Sequence, residues 1–193
     1  MSDRADRFTV VLDTNVLVGA LVRNIILSLA EAGIFRPRWS TCTINQEFIR
    51  FFDRKYPEQN AVGQRQKAAV ERAFPEGACE IDPCIIQGLQ LPDPDDRHVL
   101  AAAITTKAAI IVTDNLKHFP ARCLAPHEIE AISADDFIAD CIDLAGAEAI
   151  MALKTMRERL RKPEIDAADL LVRIEQIGLA QTALLLVPYE RFL

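Results

Sequence analysis

The sequence predicts an α/β fold, a doubly wound parallel sheet flanked by helices and followed by a small all-helical C-terminal region. Two short runs of apolar, mostly β-branched residues carry this expectation, one ending at Leu12 and the other spanning residues 108–113. Each has the continuous character of a strand covered on both faces, and each stops on polar residues. Helically spaced segments lie between them, and strands alternating with helices pack as a parallel sheet. From about Glu130 the pattern holds helices and no strand, so the expected division is one domain over 1–129 and a helical domain or extension over 130–193.

Taken in order, the first run delivers Asp13 to the carboxyl end of its strand, where ligands sit in open α/β sheets. Asp13 and Thr14 also suit a helix N-cap. Val16 to Ala32 places Leu17, Leu21, Ile25 and Leu29 on one helical face and stops at Gly33, which reads as a helix packed on the sheet. Ile34 to Ser40 holds a short extended piece. Thr43-Ile44-Asn45-Gln46 fits a capping box that opens a helix running to about Tyr56. Glu58 to Phe74 reads as a further helix, broken by Pro75-Glu76-Gly77. Residues 81–91 leave strand and helical turn open. Asp93 as N-cap and Pro94 at the first helical position then start a helix over Asp96 to about Lys107. The second run follows, ending on Asp114 and Asn115, and a last short strand is expected around Arg122 to Ala125. Helices over 134–144, 147–161, 167–177 and 180–192 complete the chain.

Half of the 193 residues are hydrophobic, enough for a real core, and 22 basic residues against 28 acidic ones give a net charge of −6. That balance argues against a protein that coats nucleic acid through bulk charge. Five scattered cysteines, without a Cys-x-x-Cys pair, read as reduced thiols of a cytoplasmic protein. The charged Met1 to Arg7 segment lacks an apolar signal sequence, and no run approaches a membrane span. No glycine-rich phosphate loop follows any strand.

The acidic residues form the informative pattern. Glu47 shares its helical face with Ile44, Phe48 and Phe51, and Asp96 shares one with Val99, Leu100 and Ala103, so both look inward. Asp114, like Asp13, follows a buried strand, with turn chemistry as its plainer role. Carboxylates gathered at one place repel one another and need a cation between them. An all-oxygen donor set selects Mg²⁺ or Mn²⁺, ions that assist phosphodiester hydrolysis. His98, His118 and His127 read as surface or structural residues.

Leu12-Asp13-Thr14-Asn15-Val16-Leu17, the lone Glu47 on an early helix, Asp93-Pro94-Asp95-Asp96-Arg97-His98-Val99-Leu100 and Val112-Thr113-Asp114-Asn115 stand in this order over about residues 8–125. Together they resemble the motifs of PIN-domain ribonucleases, notably VapC-type toxins with a C-terminal helical extension. The resemblance implies a Mg²⁺- or Mn²⁺-dependent endoribonuclease, with Asp13, Glu47 and Asp96 holding the metal. It implies a fourth position at Asp114, with Asn115 ligating as an amide or three acids sufficing as the alternatives, and supporting roles for Asn15, Asp93 and Thr113. It further implies an RNA substrate, a cognate antitoxin and a homodimer as partners.

The substrate side is read from local charge. Residues 35–72 carry eight basic residues against four acidic ones, while the rest of the chain totals −10. Arg50 and Arg54, beside Glu47, are therefore expected to face RNA phosphates, with interleaved aromatics Trp39, Phe52 and Tyr56 either stacking on a base or lying in the core. A non-catalytic receiver-like module would want a phosphoacceptor Asp after its third strand and a Lys-Pro after its fifth, and neither is evident. An inactive scaffold is disfavoured by the three acids.

Overall fold

The computed structural model describes residues 8–58, 61–161 and 163–193. The charged Met1–Arg7 segment and part of the expected helix start near Glu58 lie outside the described residues. Two compact units are present, one from the chain up to Gly19 together with Arg36–Ile132, the other from Ala20–Phe35 and Ser133–Leu193.

The first unit holds five parallel strands, β1 (Thr9–Leu12), β2 (Arg36–Ser40), β3 (Ala78–Cys79), β4 (Ile110–Val112) and β5 (Glu130–Ile132), in the order β3-β2-β1-β4-β5. Val10, Val11 and Leu12 are fully buried, as a central strand covered on both faces demands. Strand order reverses across β1 and β4, so their carboxyl ends open the crevice where α/β sheets place ligands. Asp13 leaves β1 there, its backbone N–H donating to the Val112 carbonyl at 3.1 Å, and Thr113 leaves β4 beside it.

Helix α6 (Arg97–Thr106) packs against β1, β2 and β4 through Val99, Leu100 and Ala103, with Asp93 capping the preceding 3₁₀ turn by accepting from the Asp95 N–H at 3.0 Å. Helices α3 (Phe48–Lys55) and α4 (Val62–Ala73) pack on each other, and Phe48 and Phe52 are buried, Phe52 against Gly63 of α4. Trp39 on β2 is fully buried. Gly77 lies against it so closely that a Cβ there would collide with the indole ring.

The second unit is helical: α2 (Ala20–Glu31), α8 (Ala134–Ala145), α9 (Ala147–Arg159), α10 (Ala167–Gln176) and α11 (Ala180–Leu186). Its core gathers Ile25, Ile26, Phe137, Ile138, Leu153, Leu170, Ile174 and Leu186. Phe35 meets Phe137 edge-on at 4.8 Å. Asp135 on α8 caps α11, its carboxylate accepting from the Gln181 and Thr182 N–H groups at 2.9 and 2.8 Å.

Three sequence expectations require correction. The helix expected over 16–32 is two helices, α1 (Thr14–Val18) and α2, parted at Gly19, whose extended backbone (ψ 113°) ends the first. The second of these, α2, groups with the helical unit. The cap before Glu47 is Ser40, not Thr43. The Ser40 hydroxyl accepts from the Thr43 N–H at 3.0 Å and the helical turn already begins at Thr41, because the buried Thr43 points inward rather than capping. Finally, residues 122–125 are not a strand. Ala121–Leu124 forms helix α7, and the fifth strand is Glu130–Ile132, an edge strand of three residues too short to leave a pattern. Residues 83–88, left open by the sequence, form helix α5, with Asp82 as its cap.

Candidate active site

Three of the four expected acids meet at the crevice. Asp13, Glu47 and Asp96 line one cavity of about 650 Å³, together with Thr14, Asn15 and Asn115 and with Arg50, Phe51 and Arg54 from α3. Glu47 reaches it because the backbone widens locally. Residues 43–47 form a π-helical turn, closed by the Phe48 N–H donating to the Thr43 carbonyl. Such turns recur at functional sites because they re-aim side chains without ending the helix.

Asp13 is only 4 % exposed and is held by two side chains and its own helix start. One oxygen accepts from the Thr14 N–H at 2.6 Å; the other accepts from the Thr113 hydroxyl at 2.7 Å and the Asn15 amide at 2.9 Å. Asn15 also donates to the Thr113 oxygen at 3.0 Å and accepts from the Asp114 N–H at 3.2 Å, while the Asn115 N–H donates to Thr113 at 3.1 Å. The two strand ends are therefore tied into one network. Burial pushes the Asp13 carboxyl up to about 6; the Thr113 and Thr14 hydrogen bonds oppose this, and the charges of Asp96 and Glu47 add to it.

Glu47 is gripped at both oxygens, one by the Thr14 hydroxyl and the other by His98 Nε2 at 3.2 Å. Burial by itself would raise this carboxyl. The hydrogen bonds from His98 and Thr14, with the charges of His98 and Arg50, outweigh it and hold Glu47 below its ordinary value. Behind His98, its Nδ1 lies 2.7 Å from the Ser40 hydroxyl. A carboxylate only accepts, so Nε2 carries the proton donated to Glu47. Asp96 meets His118 Nδ1 at 2.6 Å, with Asp93 3.7 Å from the same nitrogen. Burial raises the Asp96 carboxyl despite this partner.

Asp114 lies apart from this set: its side chain is exposed and does not line the cavity, whereas that of Asn115 does. Of the expected aromatics, Trp39 and Phe52 are in the core, and the aromatic ring at the cavity is Phe51. His98 and His118, read in the sequence as surface or structural residues, are bonded to two of the acids. His98 had a readable signal, a polar residue directly before the apolar run Val99–Ile104 and in register with Ala102; His118, brought in by a loop, had none.

The comparisons with known proteins agree with this architecture. A model of the PIN domain matches residues 9–117, more than half of the chain, and a model of the VapC50 C-terminal domain matches residues 134–187. The chain is similar to a Mycobacterium tuberculosis protein named "Putative ribonuclease VapC50", 57 % identical over 49 residues, which are 25 % of this chain and 29 % of that protein. The match thus spans under a third of that relative. No solved structure matches. On the strand order, the cavity and these matches, the chain belongs to the PIN-domain family and is of the VapC type with a C-terminal extension.

Proposed function

We propose that the chain is a metal-dependent endoribonuclease that hydrolyses RNA phosphodiester bonds, acting as the toxin of a toxin-antitoxin pair. The observation that carries this reading is the convergence of Asp13, Glu47 and Asp96 on one cavity whose rim bears Arg50 and Arg54. The donor set fits a hard divalent cation, Mg²⁺ or Mn²⁺: three carboxylates from separate elements, with Asp13 pushed up partly by the charges of the other two. Asp13, Glu47 and Asp96 would hold it, with Asn115 in the fourth position and Asp114 as the other candidate. When bound, the cation polarises the phosphodiester and makes water a stronger nucleophile.

The remaining roles fall to residues of the chain. Thr14 and His98 fix both oxygens of Glu47, and Thr113 and Asn15 fix Asp13, so the acids are oriented before substrate arrives. Arg50 and Arg54 place the phosphate backbone against the acids. His118 orients Asp96. A cytoplasmic location, a cognate antitoxin and a homodimer belong to the same reading, as does a nuclease domain over 1–129 with a helical extension over 130–193. No helix among the described residues is long and apolar enough to cross a membrane.

The test is cleavage of structured RNAs, and of single-stranded DNA of the same sequence, by the purified chain with Mg²⁺, Mn²⁺ or EDTA. RNA cleavage that needs the metal is the expected result. Absence of cleavage with either ion would remove the reading, and preferential DNA cleavage would change its substrate. An Asn115→Ala variant weaker than Asp114→Ala would assign the fourth position to the amide.

A further inference from the structure

The π turn that aims Glu47 has a second effect: it brings Cys42 to the same place. Residues five apart share a helix face only where the turn is widened to i→i+5 bonding. The Cys42 sulfur, a Glu47 oxygen and a His98 ring nitrogen all lie within 4.8 Å of one another. His98 Nε2 and Glu47 Oε1 are 3.2 Å apart, close to the separation of two ligands bonded at about 2.0–2.1 Å to one tetrahedral ion. Cys42 is half-buried, so an ion can reach the group from solvent, while His98 is only 7 % exposed and fixed in place.

Resting on the reading of Glu47 as part of the nuclease site, we infer that Cys42, Glu47 and His98 form an inhibitory Zn²⁺ site. A thiolate, an imidazole and a carboxylate with an open fourth position make a borderline-soft donor set, which favours Zn²⁺ over Mg²⁺. Occupancy withdraws Glu47 from the all-oxygen cavity. The support behind His98 suits the change. Ser40 Oγ lies 2.7 Å from His98 Nδ1 and 3.1 Å from Thr43 Oγ1. With Nε2 on the ion, the ring keeps one proton, on Nδ1, and donates it to Ser40, whose own hydroxyl turns to Thr43. A hydrogen-bonded second nitrogen is the usual support of a metal-binding histidine. The Cys42 thiol loses its proton to solvent as the sulfur–zinc bond forms.

The experiment titrates the metal-free full chain with Co²⁺ and reads the near-ultraviolet thiolate-to-cobalt charge-transfer band. One equivalent of Co²⁺ should produce the band and one equivalent of Zn²⁺ should bleach it. The band should vanish in Cys42→Ser and in Cys42→Ala and persist in Cys84→Ser, which alters an exposed thiol. His98→Gln should weaken Zn²⁺ binding about tenfold or more. No band in the wild-type chain, or a band unchanged in whichever Cys42 variant retains its circular dichroism, would overturn the site. RNA cleavage in excess Mg²⁺ is measured in parallel, and inhibition that grows with Zn²⁺ up to one equivalent in wild type but not in Cys42→Ser is expected. A band without any cleavage at any metal leaves the ion site standing and sinks the nuclease reading; cleavage without a band does the reverse.

Discussion

The acids of the sheet unit and those of the helical unit are put to opposite uses. In the helical unit, Asp135 accepts from two N–H groups of α11 and Asp166 accepts from the Asp169 N–H at 2.8 Å, so each carboxylate faces the positive end of a helix. At the carboxyl ends of β1 and β4, Asp13 also caps a helix, yet it is buried and feels the charges of Asp96 and Glu47. The first arrangement stabilises the fold. The second costs stability in the absence of a cation and is kept where chemistry is expected, which is how local conflict marks a site.

Substitutions at the crevice should therefore damage activity and spare or improve the fold, while those in the supporting regions should do the opposite. The largest effect is expected from Asp96→Asn and Asp13→Asn, each lowering RNA cleavage roughly 100- to 1,000-fold, the scale of losing one charge-stabilising group at a reacting centre. Cleavage within threefold of wild type in either variant would break the contrast.

Next comes the stability of the metal-free chain against pH. With its pKa raised from 3.8 to about 6, Asp13 binds its proton more tightly in the folded state. Its contribution to stability is therefore lost as pH rises through that window, by about 3 kcal/mol in all. Asp13→Asn lacks this loss. Its denaturation midpoint should match wild type near pH 4, exceed it above pH 6, and lose the advantage when Mg²⁺ is added to the wild type. An advantage that does not depend on pH would refute the electrostatic account.

Gly77→Ala should destabilise by about 1–3 kcal/mol, because the buried Trp39 ring has no room to retreat from a Cβ. Urea unfolding measures this, and an unchanged midpoint would contradict the close approach. The smallest effect is Asp135→Ala, about 1 kcal/mol from loss of the cap on α11, with RNA cleavage unaltered at a temperature where the variant is folded.

How much of this was legible in the sequence depended on whether a feature was local. Strands β1 and β4 showed themselves through continuous apolar runs, and the helix carrying Asp96 through its Asp93-Pro94 start. The inward aim of Glu47 and Asp96 was readable from their apolar face-mates. Strand β5 was not, since three edge residues leave no pattern, and neither was the break at Gly19, because the apolar spacing continues across it. The grip of Thr14 and His98 on Glu47 joins residues 33 and 51 positions apart, and that of Thr113 on Asp13 spans 100. Such pairings follow from strand order, which no single segment encodes. The π turn that brings Cys42 beside Glu47 is likewise a departure from the regular helix that sequence periodicity assumes.

The most direct measurement of the central claim is Mn²⁺ binding at neutral pH by the metal-free chain beside Asp13→Asn, Glu47→Gln and Asp96→Asn, followed by titration calorimetry. Tight binding to the wild type, weakened tenfold or more in every one of the three variants, is what three carboxylates sharing one cation predict. Equal affinity in the wild type and all three would contradict it, and would leave the cavity as a set of buried acids without a common ligand.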